Sequence, residues 1–337
     1  MYTLSEQKII SYLEGRNDDE LFLLADQVKE EVFDKEIFLR AIVEFSNVCN
    51  KKCLYCGLRA PNSGINRYRL GMPTILQAAE AAALKGARTI VLQSGDDFSY
   101  SKQLIGELVK EIKNSHDVAV TLSVGDRGID EYAHWFECGA DRCLIKIETS
   151  DPESYQRIRS GESFNERLSR INYLKQMGYE IGSGTIVGLP GSSTQSILQD
   201  ILFLTDLNLH MIAAGPFVPH PDTPFAHEEA GDLMQSYRVT ALLRILNPQA
   251  NIPATSALDA FDPCGRAQGL SRGCNVIMPS VTPSAHRADY NIYPGKNSVA
   301  MDVSDSLSQA EETIRSLNLT LSVSKGFSKR ACCSGYI

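Results

Sequence analysis

The 337-residue chain lacks several features that mark other classes of protein. No run of about 18 apolar residues occurs, so the sequence predicts no membrane-spanning helix. The formal net charge of -8 speaks against a nucleic-acid surface, which needs a basic face. Low-complexity segments and long charge runs are missing, so no linker is evident. The first residues, Met1-Tyr-Thr-Leu-Ser-Glu6, are polar and acidic, unlike a secretory signal, and we expect a cytoplasmic protein with reduced thiols.

Three cysteines close together in the sequence are the clearest chemical feature that is present. Cys49, Cys53 and Cys56 follow the apolar run 41–46 and are separated by three and two residues. Thiols at this spacing can face one point from a loop, and they suit a soft metal or an iron-sulfur cluster. A 4Fe-4S cluster held by three cysteines keeps one iron without a protein ligand. The alternative, a structural zinc site, would need a fourth ligand, and no further Cys or His occurs between residues 40 and 70.

Short apolar runs alternate with amphipathic helical patterns from residue 42 to about residue 280. The predicted strands cover 42–46, 88–93, 118–123, 142–147, 181–187, 211–215, 251–255 and 275–278. The predicted helices cover 73–86, 101–114, 128–138, 164–178, 193–208, 231–246 and 262–272. This series predicts an α/β fold, a (β/α)8 barrel of the TIM type, with a doubly wound open sheet as the alternative. Residues 1–36 predict an N-terminal helical extension, 37–300 the barrel, and 301–337 a C-terminal helix and tail.

In such a barrel the chemistry lies where the strands end, and the cysteine loop directly follows the first strand. The second strand ends in Gln93-Ser-Gly-Asp96-Asp97, where the glycine lets the backbone approach a ligand and the acids can meet an ammonium group. An ordinary turn would use the same residues. Thr121 and Ser123 share one face of the third strand and can offer hydroxyls to a polar ligand.

The fourth predicted strand carries charges at a period of two. Arg142, Lys146 and Glu148 share one face, while the opposite face is apolar and must meet the helices. The charged face is therefore expected to point into the barrel. Buried charges are costly unless they are paired or bind a ligand, so these residues predict either a ligand site or a structural layer of ion pairs.

Other strand ends add polar groups and close backbone approach. Arg167 lies just inside a helix whose start has a capping box, and its guanidinium can bind a carboxylate in a bidentate manner. Val187 is followed by two glycines that can bring the backbone close to a flat ring, although a plain strand-to-helix turn would read the same way. Thr255 and Ser256 offer hydroxyls at the end of the seventh strand. His220, in a proline-rich loop, is interpreted as a structural residue.

The remaining cysteines fall into two groups. Cys138, Cys143, Cys264 and Cys274 are isolated in apolar surroundings and are expected to be small core residues. The last two, Cys332 and Cys333, are interpreted as surface thiols.

These motifs together resemble those of one protein family. The Cys-x3-Cys-x-aromatic-Cys pattern resembles the signature of radical S-adenosylmethionine (SAM) enzymes, and the wider set resembles the FeFe-hydrogenase maturase HydE family, which is related to biotin synthase and methylornithine synthase. The resemblance runs from about residue 36 to 296. It depends on Glu44-Phe-Ser-Asn-Val-Cys49, Cys53-Leu-Tyr-Cys-Gly-Leu-Arg59, Thr89-Ile-Val-Leu-Gln-Ser-Gly95, Val187-Gly-Leu-Pro-Gly191, Gly215-Pro-Phe217, Pro219-His-Pro-Asp-Thr-Pro224, Asn251-Ile-Pro-Ala-Thr255, Asn275-Val-Ile-Met-Pro279 and Tyr293-Pro-Gly-Lys296.

The resemblance implies a radical SAM fold and specific roles for the cofactor-binding residues. The three motif cysteines would hold one 4Fe-4S cluster. Glu148 would bind the ribose of SAM, and Arg167 its methionine carboxylate. Ser123 and the backbone of Val187 would add contacts to SAM, with Tyr55 near the adenine.

The resemblance also implies a substrate pocket on the far side of SAM. Its members would be Gln93, Thr121, Arg142, Thr255 and Ser256. Further lining is expected from Met211, Met278 and Tyr293. Strand periodicity and the resemblance agree that Thr121, Ser123, Arg142 and Glu148 point inward.

The implied reaction is reductive cleavage of SAM to a 5'-deoxyadenosyl radical. In the family the radical acts on a cysteine-bound Fe(CN)(CO)2 precursor during H-cluster assembly. The implied partners are an electron donor such as ferredoxin or flavodoxin, the maturase HydG, which supplies the substrate, and the scaffold HydF. Many members carry three more cysteines after the Tyr-Pro-Gly-Lys motif for a second cluster, but residues 297–309 contain none, so an accessory cluster is predicted to be absent.

Two other functions remain open at this point. A radical SAM mutase of the methylornithine synthase type would need groups for the ammonium and carboxylate of an amino-acid-derived substrate. A non-catalytic iron-sulfur carrier would need no SAM pocket, so the inward Glu148 and Arg167 speak against it.

Overall fold

The structure, a computed structural model, describes residues 3–297 and 299–330. Cys332 and Cys333 lie outside the described residues. Ten strands are present in this part of the chain: β1 (Glu36–Leu39), β2 (Ala41–Ser46), β3 (Thr89–Ser94), β4 (Ala119–Ser123), β5 (Arg142–Leu144), β6 (Glu180–Val187), β7 (Met211–Pro216), β8 (Pro253–Ala254), β9 (Val276–Ile277) and β10 (Thr320–Leu321).

Eight of these strands, β2 to β9, form a ring of parallel neighbours. Strands β2 to β7 pair in chain order in one sheet, and β8 pairs with β9 in a second sheet. Two pairs of backbone hydrogen bonds join the sheets. Between β7 and the start of β8, Ile212 N–H donates to Asn251 O and Asn251 N–H donates to His210 O. Between β2 and the segment after β9, Ile42 N–H donates to Pro279 O and Ile42 O accepts from Val281 N–H. The (β/α)8 barrel is thus confirmed, and the alternative of an open sheet is wrong.

Helices follow the strands and cover the outside of the ring. The helices are α1 (Glu6–Leu13), α2 (Asp18–Phe33), α3 (Met72–Leu84), α4 (Lys102–Ser115), α5 (Ile129–Glu137), α6 (Pro152–Ile158), α7 (Phe164–Met177), α8 (Thr194–Asp206), α9 (Leu233–Leu246), α10 (Gly265–Leu270), α11 (Ser284–Arg287) and α12 (Val303–Ser316). The sequence did not predict α6 and α11, which are too short to show a helical period. A 3-10 turn at Leu258–Ala260 precedes α10, which is shorter than its prediction.

Alternating side chains on the strands build the core between ring and helices. In β3, Ile90 and Leu92 are fully buried in the apolar core, whereas Gln93 points into the ring and lines its cavity. Cys138, Cys143 and Cys274 are buried as expected, but the prediction for Cys264 is wrong because this residue is exposed at the start of α10. Among the described residues, no helix has the length and apolar character needed to cross a bilayer.

A strand that precedes the barrel meets residues 320–330 at the amino-terminal end of the barrel. Strand β1, which the sequence did not predict, pairs with β9 on one side and with β10 on the other. The residues from β10 onward, 320–330, form what we call the C-terminal strap. In the strap, the carbonyl of Gly326 accepts hydrogen bonds from Arg40 and Asn251, and Ser328 N–H donates to Glu180. The strap therefore covers the end of the barrel opposite the cysteine loop.

Candidate active site

A cavity of about 380 Å³ occupies the barrel at the carboxyl ends of its strands. The three motif cysteines line its mouth, and Ile42 and Met211 lie deeper in the ring. Further polar or reactive side chains that line it are Lys51, Tyr55, Gln93, Asp96, Ser123, Lys146, Glu148, Arg159, Arg167, Thr255, Ser256, Tyr293 and Lys296. This chamber is where a barrel of this class is expected to carry out its chemistry.

Backbone contacts to three neighbouring segments hold the cysteine loop. Asp96 N–H lies 3.4 Å from Cys49 Sγ, Leu54 N–H donates to Ile158 O at 2.8 Å, and Gly57 N–H donates to Ile292 O at 3.0 Å. A Cβ on Gly57 would lie 2.1 Å from the Asn291 carbonyl oxygen and 2.6 Å from the His220 ring. Glycine is therefore required here by close packing.

His220 supports the loop from behind. Its side chain is buried, its Nδ1 accepts a hydrogen bond from Asp222 N–H, and burial lowers its pKa. It is not among the residues that line the chamber. The structural interpretation of His220 is confirmed.

The three thiols have the chemistry of ligands to an iron-sulfur cluster. Burial raises the pKa of each, and the charges of Cys53 and Cys49 raise that of Cys56 further, so the three sulfurs are electrostatically coupled. Three thiolates facing one cavity need a positively charged metal centre as a counter-charge. Among the described residues, no three His, Cys, Asp or Glu side chains are placed to hold a single metal ion. The donor set fits a 4Fe-4S cluster with one open iron.

Glu148 is a buried carboxylate whose two oxygens have different partners. Its Oε1 accepts a 3.1 Å hydrogen bond from the Tyr55 hydroxyl, while Oε2 has no hydrogen-bond partner. Lys146 Nζ lies 3.2 Å from Oε2 but outside hydrogen-bond geometry. Burial opposes ionisation, yet the charges of Lys146, Arg159 and Arg167 lower the pKa of Glu148. A buried, ionised carboxylate that is held by one hydrogen bond and one ion pair keeps acceptor capacity on both oxygens, and is suited to bind the hydroxyls of a ribose.

The backbone at Glu148 is strained. Its φ angle is +66°, in the left-handed region that residues with a side chain rarely adopt. Its N–H donates to Gly184 O and its carbonyl accepts from Ile186 N–H and the Thr185 hydroxyl, which hold this conformation. Such strain is typical of residues whose side chain is positioned for function.

Three arginines, two from α7 and one from the turn that precedes it, converge on one aspartate beside the chamber. Asp126 lies 3.0 Å from Arg167 Nη1, 3.3 Å from Arg159 Nη2 and 2.7 Å from Arg170 Nη1. Burial alone would raise the pKa of Asp126, but these cations and Lys51 lower it. Arg159 keeps a buried Nε without a partner, and both Arg159 and Arg167 line the chamber. This cluster is suited to bind a carboxylate.

The two acids after β3 have different roles. Asp96 lines the chamber, lies 3.7 Å from Lys51 Nζ and accepts from Asp126 N–H, and burial raises its pKa. Asp97 points away and binds Arg69 in a bidentate manner and the Ser46 hydroxyl. Of the two acids, only Asp96 therefore faces the chamber, whereas Asp97 stabilises the turn.

The far part of the chamber carries hydroxyls and thioethers. Gln93 Nε2 donates to the Ser123 hydroxyl at 3.1 Å, and the hydroxyls of Ser256 and Tyr293 lie 2.5 Å apart. Thr255 lines the same wall. Met211 and Met278 supply its apolar part, as expected from the resemblance.

Three of the predicted contact residues lie outside the chamber lining. Arg142 is at the start of β5, where it forms a buried ion pair with Glu180 at 2.6 Å and donates to the carbonyl of Lys325 in the C-terminal strap. The face predicted for Arg142 is right but its depth is wrong, because β5 places it at the closed end of the barrel. Thr121 is fully buried, and its hydroxyl has no hydrogen-bond partner. The carbonyl of Val187 accepts from Phe217 N–H, and the neighbouring residue Ile186 lines the cavity in place of Val187.

Several chamber residues were absent from the set predicted as contacts. Lys51 lies inside the cysteine motif and Lys296 ends the Tyr-Pro-Gly-Lys motif, so motif membership could have identified both. Arg159 directly follows the unpredicted helix α6, and its partner Asp126, which lies outside the chamber lining, follows β4. No local pattern marks the last two, because only the barrel brings them together.

Known proteins match the chain over most of its length. The Radical SAM superfamily matches residues 43–204. The [FeFe] hydrogenase maturase subunit HydE of Thermotoga maritima is 47% identical over 279 residues, which are 83% of this chain and 80% of that protein. The chain belongs to the HydE family of radical SAM proteins.

The HydE family has relatives among enzymes with other names. The 3-methylornithine synthase of Methanosarcina acetivorans is 27% identical over 288 residues, 84% of this chain and 81% of that protein. The crystal structure of methylornithine synthase (PylB) superposes with a TM-score of 0.83 at 23% identity and covers 95% of both chains. The structural match shows the radical SAM fold. It does not distinguish HydE-type from mutase-type chemistry.

Proposed function

We propose that this protein is a HydE-type radical SAM enzyme, which cleaves SAM reductively to methionine and a 5'-deoxyadenosyl radical. The radical acts on a cysteine-bound Fe(CN)(CO)2 precursor during assembly of the FeFe-hydrogenase H-cluster. The 47% identity to the Thermotoga maritima HydE supports this function. This proposed substrate is an anionic iron complex, so the proposal requires a chamber whose charges accept an anion.

Cys49, Cys53 and Cys56 would hold the 4Fe-4S cluster. When bound, this cluster supplies the electron that breaks a carbon-sulfur bond of SAM. Glu148 would hold the SAM ribose, and Arg167 with Arg159 its methionine carboxylate. These residues orient SAM, and the buried wall keeps water from the radical.

The charge distribution of the chamber is the observation that favours an anionic substrate. Among the described lining residues the carboxylates are Asp96 and Glu148, both at the SAM end, where Lys51 and Lys146 lie beside them. The far part offers hydroxyls, thioethers and Lys296, whose ammonium lies 3.2 Å from the buried Glu44 behind the wall.

An anionic iron complex would find hydrogen-bond donors in the far part of the chamber, where the charge of Lys296 is already balanced by Glu44. The ammonium groups of a diamino acid would find no carboxylate among the described residues there. We therefore favour the organometallic substrate over the mutase reaction, and propose Gln93, Thr255 and Ser256 as its contacts, without Arg142 and Thr121.

The loop that carries the three cysteines is positively charged, as expected for a surface that binds an acidic electron-donor protein. Five cations and no acidic residue occur between Phe45 and Ala79, although the whole chain is acidic. Lys51 and Arg69 already pair with acids of another segment, so the exposed Lys52 is the cation best placed to meet a partner. We propose an acidic ferredoxin or flavodoxin as the donor, HydG as the source of the substrate and HydF as the recipient of the product, all in the cytoplasm. We also propose that the protein has one cluster, because no cysteine follows the Tyr293 to Lys296 motif until the last six residues.

The test uses protein whose cluster has been reconstituted under anaerobic conditions. Reduced protein with SAM is expected to form 5'-deoxyadenosine and methionine, and Cys53→Ala is expected to form neither. The cysteine-bound iron complex should raise the rate and be consumed, whereas a diamino acid should do neither.

Each alternative function has its own outcome in this experiment. Turnover with a diamino acid and not with the iron complex would favour the mutase. Absence of SAM cleavage in cluster-loaded protein, with a donor shown to reduce the cluster, would favour the carrier.

A further inference from the structure

A second cavity lies beside the chamber, between the barrel and the segment that follows it. This side cavity measures about 220 Å³. It is lined by Ser256, Asp259, Arg266, Met278, Pro279, Ser280, Arg287, Gly295, Lys296, Asn297, Val299, Met301, Ser306, Gln309, Ala310 and Thr313. Gln309 and Val299 are exposed at its outer edge, whereas Ser280 and Arg287 are buried at its inner end.

The side cavity and the chamber share one wall. Ser256, Met278 and Lys296 line both cavities. A molecule in the side cavity would therefore lie against the same three side chains as a substrate in the far part of the chamber.

The side cavity has more positive than negative groups in its lining. Arg266, Arg287 and Lys296 come from three different segments, and Asp259 is the only acid among the described lining residues. Asp259 already forms an ion pair with Arg266.

Glu44, which is fully buried outside the lining, is the partner of Lys296 at 3.2 Å. It also accepts hydrogen bonds from Ser280, Thr282 and Asn297. Asp259 and Glu44 thus each pair with one of the three cations, and the third cation has no carboxylate partner among the described residues.

Arg287 is that cation. It is 8% exposed, yet no carboxylate of the described residues lies within ion-pair distance of it. Its Nη1 donates to the carbonyl of Ser280 at 2.7 Å and to the hydroxyl of Ser306 at 3.3 Å, and its buried Nε has no partner. Burial lowers its pKa, and the charge of Arg266 acts in the same direction while Glu44 opposes both. A desolvated guanidinium without a counter-ion is stabilised by an anion.

We propose that the side cavity is a binding site for a carboxylate or similar small oxyanion, with Arg287 as its main cation. The amide of Asn297 donates one hydrogen to Glu44 and has a second to offer, whereas the hydroxyls of Ser306 and Thr313 already donate to the carbonyls of Ser280 and Gln309. The connection to substrate chemistry depends on the proposed function: the anion is either the carboxylate of a molecule that reaches into the chamber or a free anion from solution.

Location is tested first, on crystals of the reconstituted protein soaked in selenate, a sulfate analogue with an anomalous signal. An anomalous peak within hydrogen-bond distance of the Arg287 guanidinium is expected. Peaks only at other sites would overturn the proposal. The soaking result does not depend on SAM cleavage. The anion site can therefore be disproved while the proposed function holds, and the proposed function can be disproved while the anion site holds.

Affinity is tested by calorimetric titration of sulfate at constant ionic strength, with SAM present and no reductant, so that the arginines at the methionine end are covered. Arg287→Gln is expected to weaken binding about tenfold or more. Arg315→Gln is the matched control, because this arginine of α12 is 70% exposed and pairs with Glu311. Ala310→Leu leaves Arg287 in place and fills the cavity, so it provides a second test if Arg287→Gln does not fold. Unchanged sulfate binding in either folded variant contradicts the site.

Two sources of the anion are distinguished with acetate and L-serine as probes. If serine binds much more tightly than acetate and loses this advantage in Arg287→Gln, the carboxylate belongs to a molecule that reaches the chamber. Equal binding of the two probes, lost in Arg287→Gln, indicates a free anion. If Arg287→Gln still binds both acetate and serine as the wild type does, the proposal is overturned.

Discussion

The hydroxyl of Tyr55 donates a 3.1 Å hydrogen bond to Oε1 of Glu148, and so connects the cysteine loop to the end of the β5 segment. Tyr55 lies between two of the motif cysteines, and Glu148 is held at a left-handed φ angle. The cluster loop and the proposed ribose ligand are thus held together by one contact.

Glu148→Gln is expected to weaken SAM binding about tenfold or more, because a neutral amide is a weaker acceptor for two ribose hydroxyls than a carboxylate. Equilibrium binding of SAM to cluster-loaded protein measures this change. Tyr55→Phe, which removes one donor and keeps the carboxylate, should have a smaller effect. A SAM dissociation constant unchanged in Glu148→Gln would rule out the role in binding ribose.

Asp126→Asn is expected to reduce the free energy of unfolding by about 3 to 5 kcal/mol, because the buried Arg159 and Arg167 lose their counter-ion. Urea unfolding measures the loss. Asp130→Asn is the matched control: this carboxylate is 73% exposed and pairs with Lys102, so its substitution should change the free energy of unfolding far less. Equal effects of the two substitutions would refute the prediction.

The same aspartate should make stability depend on acid pH. Because its folded-state pKa lies below its ordinary value of 3.8, ionised Asp126 stabilises the fold above that value, and this contribution is lost as pH falls through the folded pKa. Asp126→Asn should therefore lose less stability than the wild type as pH falls below about 4. Asp96 acts in the opposite direction, and its pKa is raised by burial and by the charge of Asp126 itself, so both profiles are measured in an Asp96→Asn background. Parallel pH profiles of the free energy of unfolding would contradict this assignment.

Gly57→Ala is expected to prevent the cysteine loop from closing, since its Cβ would meet the Asn291 carbonyl oxygen at 2.1 Å. Most of the iron and sulfide should be lost after reconstitution. Gly64→Ala in the same loop serves as the control, because its nearest neighbour would be the Asn62 side chain at 3.4 Å. Full cluster content in Gly57→Ala would show that the loop tolerates the methyl group.

Gly326→Ala tests how firmly the C-terminal strap is seated. A Cβ there would lie 2.7 Å from the Phe38 ring, at a φ angle of +62°, so a loss of about 1 to 3 kcal/mol in the free energy of unfolding is expected. Gly86→Ala has a positive φ angle but no atom within 4 Å, and should cost only about 1 kcal/mol of backbone strain. Thermal unfolding of both variants compares the two costs, and equal losses would show that the strap contact contributes nothing.

The sequence by itself determined the local features of this protein. Strand and helix periods predicted the barrel, and the spacing of Cys49, Cys53 and Cys56 predicted their common chamber, because both depend on residues close in sequence. The parity argument was also right that Lys146 and Glu148 point inward. Periodicity assigns a face to a side chain, but it does not assign a depth along the barrel axis.

Only the tertiary structure decided the depth and the long-range partners. Arg142 has the inward parity of Glu148, yet it lies at the closed end of the barrel and pairs with Glu180. Arg159 and Asp126 are 33 residues apart, and Arg287 faces a cavity whose walls come from five segments. Such contacts depend on how strands shift against each other and on where loops cross. No local pattern of residue types encodes the strand shifts or the loop paths, because both depend on side-chain packing around the whole barrel.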